Sequence, residues 1–401
     1  MTLNLLKSAL ENASRLIQPV QSHHSSLFTE YGTPKLHFES WLTEPIAEAI
    51  SQVSQLEPLL NKPLNTTSSS GRTSNWHLAQ ASIHHLLAKR AVDTIIADFL
   101  DLATTSLGNS WTYVGVFGDG ISQRIEISED VAIMPASEAP PSLAREIIFG
   151  IDREGQQIVK IGELRPPKPN LCALLSNRIK VLGDRSLDEE LPALKSIAEK
   201  TVALIRALTL SSGCPFSLGW QISWLDHPAI PYEGMGSYGA SGTFEETPKP
   251  RSERGSPVDP TLARDVFKSV YSLPSGIAAP IELAIDRLRR SRIHTPSVDT
   301  ALDLGLAAEI ALLHDAKSTE LSFRFSLRGT RLLTSDPTTA KETFKAFRAM
   351  YDARSAAAHT GKITPKHQSR LAEFDLLCRS AILKLIERGT FPDWDDLILG
   401  L

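Results

Sequence analysis

From Pro260 onward the chain is written almost wholly in the helical period, and this constrains the fold more than any other feature. Apolar residues recur every three or four positions through 260–272, 279–293, 299–314, 320–334, 340–358 and 368–388. Short turns marked by Pro or Gly separate these segments. Ser335-Asp336-Pro337 ends one helix and opens the next, as an N-terminal signal should. Five or six amphipathic helices in about 140 residues can hide their apolar stripes only against one another, so this region predicts an all-α bundle. Residues 232–260 (YEGMGSYGASGTFEETPKPRSERGSPVDP) are rich in Gly, Pro, Ser and charge, and they read as a linker or mobile loop. The expected division is therefore 1–255 and 256–401. At about 100–200 residues per domain, 401 residues suit two or three domains.

The N-terminal part has a different texture. Residues 1–110 read as mainly helical, most clearly from Trp76 to Leu102, behind a Ser/Thr-rich loop at 66–71. From Ser110 the pattern turns to strands. TYVGVF and RIEISEDVAIMP predict a pairing around Gly118-Asp119-Gly120, and EIIFGID with QQIVKIGEL predicts a second hairpin. A long helix near Asp188–Leu208 and a strand, GWQISWL, follow. The fold class expected for the whole chain is α+β: a mixed helix and antiparallel-sheet region of unnamed fold, then a helical bundle.

Composition narrows the function. No run of about 18 uncharged apolar residues occurs, so no membrane partner is expected. The opening MTLNLLKSALENASRL spaces Lys7, Glu11 and Arg15 as an amphipathic helix does, unlike a signal peptide. Cys172, Cys214 and Cys378 are too few and too scattered for a disulfide framework or a four-thiolate zinc site, which suits a reducing cytoplasm. The net charge of −4 argues against a generally basic nucleic-acid coat. The balance is uneven, because residues 261–401 hold 20 Lys+Arg against 17 Asp+Glu, which is +3 and leaves −7 for residues 1–260. The more phosphate-friendly surface belongs to the C-terminal part.

Two apparent motifs carry little. Gly234-x-Gly236-x-x-Gly239 spells a dinucleotide-binding pattern, but no apolar helix follows to receive a pyrophosphate, so a loop is the better reading. His77, His84 and His85 share one expected helix without a Cys, Glu or Asp at a metal-site spacing, so no metal and no cofactor are expected. GxSxG, HExxH and P-loop patterns are absent.

The informative element is YDARSAAAHTG, residues 351–361, in which Arg354 and His359 form an R-x4-H pair. Spacing alone means little, since the composition produces about 0.7 such pairs by chance. Arg72/His77 and Arg289/His294 are two more. Context separates them: Arg72 lies in a polar loop, and Arg289 in the charged run IDRLRRSRIH. On the third helix Phe344, Phe347, Tyr351 and Ala358 share a face, which puts Arg354 about 40° to one side of it and His359 about 100° to the other. A guanidinium beside an apolar seam needs an acid or a cleft. Ala356, Ala357 and Ala358 keep the surface low, and Gly361 supplies a C-terminal stop.

The order of AAEIALLHD (307–315), ELSFRFSLRG (320–329) and FKAFRAMYDARSAAAH (344–359), closed by a last amphipathic helix, resembles the Apea-like group of HEPN domains over about residues 280–385. That resemblance implies a HEPN helical bundle, commonly a homodimer, and for many members a metal-independent endoribonuclease used as a toxin or antiviral-defence effector. It places Arg354 and His359 at the catalytic positions and Ser355 at the polar position after the arginine. Glu309, Glu320 and Arg324 match recurrent charged positions, read here as bundle ion pairs or cleft support. Three alanines stand where the family often has branched apolar residues. The competing implication is a HEPN module that dimerises or binds RNA or a partner without cutting.

The residue types suit the chemistry. RNA cuts itself when its 2′-hydroxyl attacks the adjacent phosphorus, so the protein need supply only proton transfer and charge neutralisation. Histidine, with an ordinary pKa of about 6.5, can do the first, and arginine's planar fork the second. One imidazole per chain leaves the opposite proton transfer to a second subunit or to water. RNA is the expected partner, and a trigger ligand or protein is expected at the N-terminal region. Arg287, Arg289, Arg290 and Arg292 are candidates for guiding RNA, with a solvated helix face as the alternative.

Overall fold

A computed structural model describes residues 2–17, 38–66, 70–140, 149, 168–184, 186–230, 240–242, 255–293, 297–315 and 320–399. The fold is α+β, with an antiparallel sheet in the N-terminal part and a mostly helical C-terminal part. It divides into two compact units: residues 1–116, 129–198 and 218–244, and residues 117–128, 199–217 and 245–401. The division is thus not one cut at residue 255. The chain passes between the units several times.

The first unit opens with helices α1 (Thr2–Ile17), α2 (Ser40–Ser51) and α3 (Glu57–Asn61) and a small hairpin, β1 (Pro63–Asn65) with β2 (Ser70–Arg72). The expected helix Trp76–Leu102 is two helices, α4 (Asn75–Leu87) and α5 (Val92–Thr104). The break comes at Lys89, which adopts φ 59°. Nothing in Ala-Lys-Arg-Ala announces it, since all three residue types favour helix. Tertiary bonds decide instead: Arg90 donates to the Pro228 carbonyl at 2.6 Å and pairs with Asp98. Leu6, Leu10, Ile46, Ile50, Ile83 and Phe99 are sealed in the core of this unit.

Strand β3 (Leu107–Gly118) runs antiparallel to β6 (Leu171–Lys180), from Leu107 opposite Lys180 to Val116 opposite Leu171. Within the first unit the sheet runs β5 (Val131–Pro135), β6, β3, β7 (Phe216–Asp226), β8 (Ala240–Gly242). RIEISEDVAIMP holds two strands, β4 (Ile125–Ser128) and β5, and the neighbours of β3 are β6 and β7. The expected pairing of β3 across the Gly-Asp-Gly turn is therefore corrected. Long-range apolar pairing prevails, since Leu171–Leu175 of β6 form an unbroken buried run suited to the sheet interior. Apart from the buried Phe149, the second expected hairpin lies outside the described residues, as does the GxGxxG stretch.

The second unit contains the end of α6 (Leu187–Ser211), β4, and helices α7 (Pro260–Tyr271), α8 (Ser275–Ile293), α9 (Ser297–Leu313), α10 (Leu321–Leu333), α11 (Pro337–Thr360), α12 (Pro365–Gln368), α13 (Leu371–Arg388) and α14 (Trp394–Leu399). Local signals set the helix ends. Asp259 and Asp336 accept hydrogen bonds from the first free N–H groups of α7 and α11, and each is followed by Pro. Gly361 and Gly389 end α11 and α13 with φ 64° and 67°, where an L side chain is strained.

Helix α9 is the hub, packing on α8, α10, α11 and α13. Ala301, Leu304, Gly305, Ala307, Ala308, Ala311 and Leu312 are buried along it, as expected of a helix enclosed on most sides. Buried charge ties residues 199–217 to this unit. Arg292, 1% exposed, donates to Asp375 at 2.8 and 2.9 Å and to the Thr209 carbonyl at 2.6 Å. Arg206 pairs with Glu282 and Asp286, and Arg379 Nε donates to the Leu210 carbonyl.

Candidate functional site

The site is built on α11. Its buried line is Ala346, Met350, Ala353 and Ala357, with Phe347 alongside. The expected seam of Phe344, Phe347, Tyr351 and Ala358 is thus rotated: Ala358 is exposed, and Phe344 and Tyr351 are half-buried. The reason is closeness of approach. Small residues lie where helices touch, while Phe344 and Tyr351 lie about 130–150° around α11 from that line and pack edge-on or tilted against Phe323 and Phe325 of α10. Gly329 and Gly305 mark the tightest approaches. A Cβ on Gly329 would lie 2.7 Å from the Phe347 ring, and one on Gly305 only 2.3 Å from Cβ of Arg354.

Around this helix, Arg354 lies about 70° to one side of the buried line and His359 about 150° to the other, at 100° per residue. Arg354 therefore leans toward α9. Its Nη2 lies 2.8 Å from Oε2 of Glu309, with the two side chains 25% and 18% exposed. Its buried Nε has no hydrogen-bond partner. Burial raises the Glu309 carboxyl above its ordinary range, and the neighbouring guanidinium partly offsets that rise. His359 is exposed in the last turn of α11, just before the Gly361 stop, and forms no hydrogen bond or ion pair among the described residues. Ser355 is half-buried on the same outward side.

The two candidate side chains are five residues apart, which is about 7.5 Å of rise and about 140° of rotation. They diverge. Within one chain Arg354 is held beside Glu309 while His359 faces solvent.

The supporting residues separate into different environments. Glu309 meets Arg354 directly. Glu320 is exposed in the left-handed region at φ 55°, and its carbonyl accepts the Arg324 N–H at 3.0 Å. No ion pair joins Glu320 to the half-buried Arg324 among the described residues. Arg328, in the same segment, is a packing residue. Its guanidinium donates to the Leu312 carbonyl, pairs with Asp315 and lies over the Trp394 ring.

The expected arginine stripe on α8 is corrected. Arg292 is sealed against Asp375 and cannot meet a ligand. Arg287 pairs with Asp303 at 3.0 Å, and half-buried Arg289 donates to the Phe216 carbonyl. Arg290 alone of the four is exposed. The charged run wraps around its helix, so sequence neighbours do not share a face.

No cluster of His, Cys, Asp or Glu suited to a metal occurs among the described residues. His77 completes a capping box with Ser74, His84 packs edge-on to Phe38, and His85 is buried against the Ala229 carbonyl. The three cysteines are buried and form no disulfide among the described residues. No helix among the described residues is long and apolar enough to cross a membrane.

Sequence reasoning missed Gly305, which seats Arg354. A lone glycine inside an apolar helical pattern was the available signal. It also missed an open groove of about 510 Å³ lined by Glu320, Leu321, Ser322, Phe323 and Arg348, which joins α10 to α11 and has no sequence motif. No family model, curated protein or solved structure matches the chain.

Proposed function

We propose that the C-terminal unit is a metal-independent endoribonuclease of the Apea-like HEPN type. The observation that carries this reading is the solvent access of both Arg354 and His359 on the last turns of α11, with the imidazole free of partners among the described residues. His359 takes the proton from a ribose 2′-hydroxyl. The 2′-oxygen then attacks the adjacent phosphorus, and the bond to the 5′-oxygen breaks. The leaving oxygen receives a proton from a second imidazole or from water, giving a 2′,3′-cyclic phosphate and a 5′-hydroxyl. Arg354, oriented by Glu309, offers its remaining N–H donors to the phosphoryl oxygens as negative charge builds there.

The divergence of Arg354 and His359 favours two chains over one at the scissile phosphate, so the reading includes a homodimer through the helical unit. In this reading the N-terminal unit receives the triggering ligand or protein. The chain works in the cytoplasm as a toxin or antiviral effector.

A second reading has its own support. The 2.8 Å pairing of Arg354 with Glu309 suits a guanidinium that holds α9 and α11 together in a non-catalytic dimerisation or RNA-binding module. Incubation of the full chain with RNA and a chelator decides between them. The catalytic reading expects fragments ending in cyclic phosphate, and the scaffold reading expects intact RNA.

A further inference from the structure

We infer that the groove between α10 and α11 is a nucleotide subsite for single-stranded RNA, in which Phe323 stacks on a base and Arg348 holds the adjoining phosphate. This deepens the endoribonuclease reading and rests on it for the identity of the ligand. Four observations converge on the groove.

Phe323 is 48% exposed, unusual for a large aromatic side chain, and its ring stands edge-on to Phe344 with centroids 5.9 Å apart. That contact fixes the ring and leaves a face for stacking. Arg348 is exposed, lines the same groove and has no ion pair among the described residues. The groove, at about 510 Å³, has room for one nucleotide. Glu320 on its wall is an acceptor that a bare phosphate would avoid and that a base amine or ribose hydroxyl would meet. An aromatic face, a guanidinium and a carboxylate together match a nucleotide better than an anion alone.

The groove also lies on a line with the proposed cutting residue. Lys341, Arg348, Ser355 and His359 fall within about 40° of one another around α11. Arg348 and His359 are about 16 Å apart along the axis, the rise of about five stacked nucleotides. Exposed Asp352 also lies on this face, and Lys345 beside it pairs with Glu342 at 2.9 Å. Of the ridge's cations, Lys341 and Arg348 form no ion pair among the described residues.

The test uses the full chain and a short fluorescent oligoribonucleotide with every 2′-hydroxyl methylated, so that binding is read whether or not the protein cuts RNA. Phe323→Ala is expected to weaken binding about tenfold with an unchanged salt dependence, and Phe323→Tyr to restore it. Arg348→Ala is expected to weaken binding and to reduce the slope of log affinity against log salt by about 0.7, the mark of one lost phosphate contact on a single strand. Both side chains are exposed, and circular dichroism confirms that the variants are folded. The proposal is overturned if the wild type does not bind the probe, or if both variants bind within about twofold of wild type. Displacement of the probe by inorganic phosphate without any effect of Phe323→Ala also overturns it. Cleavage of ordinary RNA, scored separately with His359→Ala, reports on the catalytic reading alone.

Discussion

Replacing Gly305 with alanine tests how Arg354 is held. The new Cβ would lie 2.3 Å from Cβ of Arg354 and 2.4 Å from its Cγ. Carbon atoms in contact prefer about 3.5–4.0 Å, so the shortfall is more than about 1 Å. A rotamer change cannot relieve it, because Cβ of Arg354 is fixed to the α11 backbone. Helices α9 and α11 must separate instead, and a gap of about 1 Å forfeits up to about half of the dispersion energy at the contact. Overpacking of this kind costs about 3 kcal/mol at the upper end of its range, while alanine gains about 1 kcal/mol over glycine in helix propensity. The net loss is about 2 kcal/mol, or about 4–8 °C in the melting temperature of a unit of this size. Calorimetry provides the readout. Gly276→Ala in α8 is the control, because a Cβ there meets nothing within 4 Å and should stabilise by about 0.4–1 kcal/mol. If Gly305→Ala melts at or above the wild-type temperature, propensity alone governs the site and the close seat for Arg354 is wrong.

Other outcomes follow from the same contacts. Arg354→Ala removes the partner that lowers the Glu309 carboxyl, so burial alone then acts and pushes that pKa further up. A raised folded-state pKa means stability lost as pH rises through it, so this variant should lag wild type by about 2 kcal/mol at about pH 8 and by less at about pH 5. Equal deficits at both pH values would contradict the coupling. Arg292→Ala strands the Asp375 carboxylate and should cost about 3–5 kcal/mol in urea unfolding, whereas Arg290→Ala should stay within about 0.5 kcal/mol of wild type. Gly361→Ala should cost about 1 kcal/mol, through φ 64° alone, since a Cβ there meets no atom within 4 Å. A neutral result in a thermal melt would show that α11 does not end in a left-handed cap.

The helices of the second unit were legible because their ends carry local chemistry. Asp336-Pro337 and Gly361 delimit α11 through a side-chain acceptor, a fixed φ and a free positive φ, none of which needs the rest of the fold. The kink at Lys89 was not legible, since its causes are Pro228 and Asp98, one of them distant in sequence. Strand pairing failed for the same reason. A glycine turn beside β3 suggested a local partner, and the sheet places β6 and β7 there. At the candidate site the sequence singled out Arg354, His359 and Glu309, of which the structure pairs Arg354 with Glu309, but it misjudged the face of α11. Counting aromatic residues as the seam overlooked that alanines permit the closest helix contact, as Ala346, Ala353 and Ala357 do. The arginine run on α8 misled because charge density in sequence does not tell which side chains a helix turns inward; Arg292 is among the most enclosed large side chains in the protein.

Single-turnover cleavage of RNA in the presence of a chelator, followed across the pH range for wild type, His359→Ala and Arg354→Ala, bears most directly on the chemistry assigned to α11. Loss of the imidazole should slow cleavage by about 10²–10⁴, and loss of the guanidinium should lower the rate at every pH. Equal rates in all three proteins, or activity that disappears with the chelator in the wild type, would contradict it.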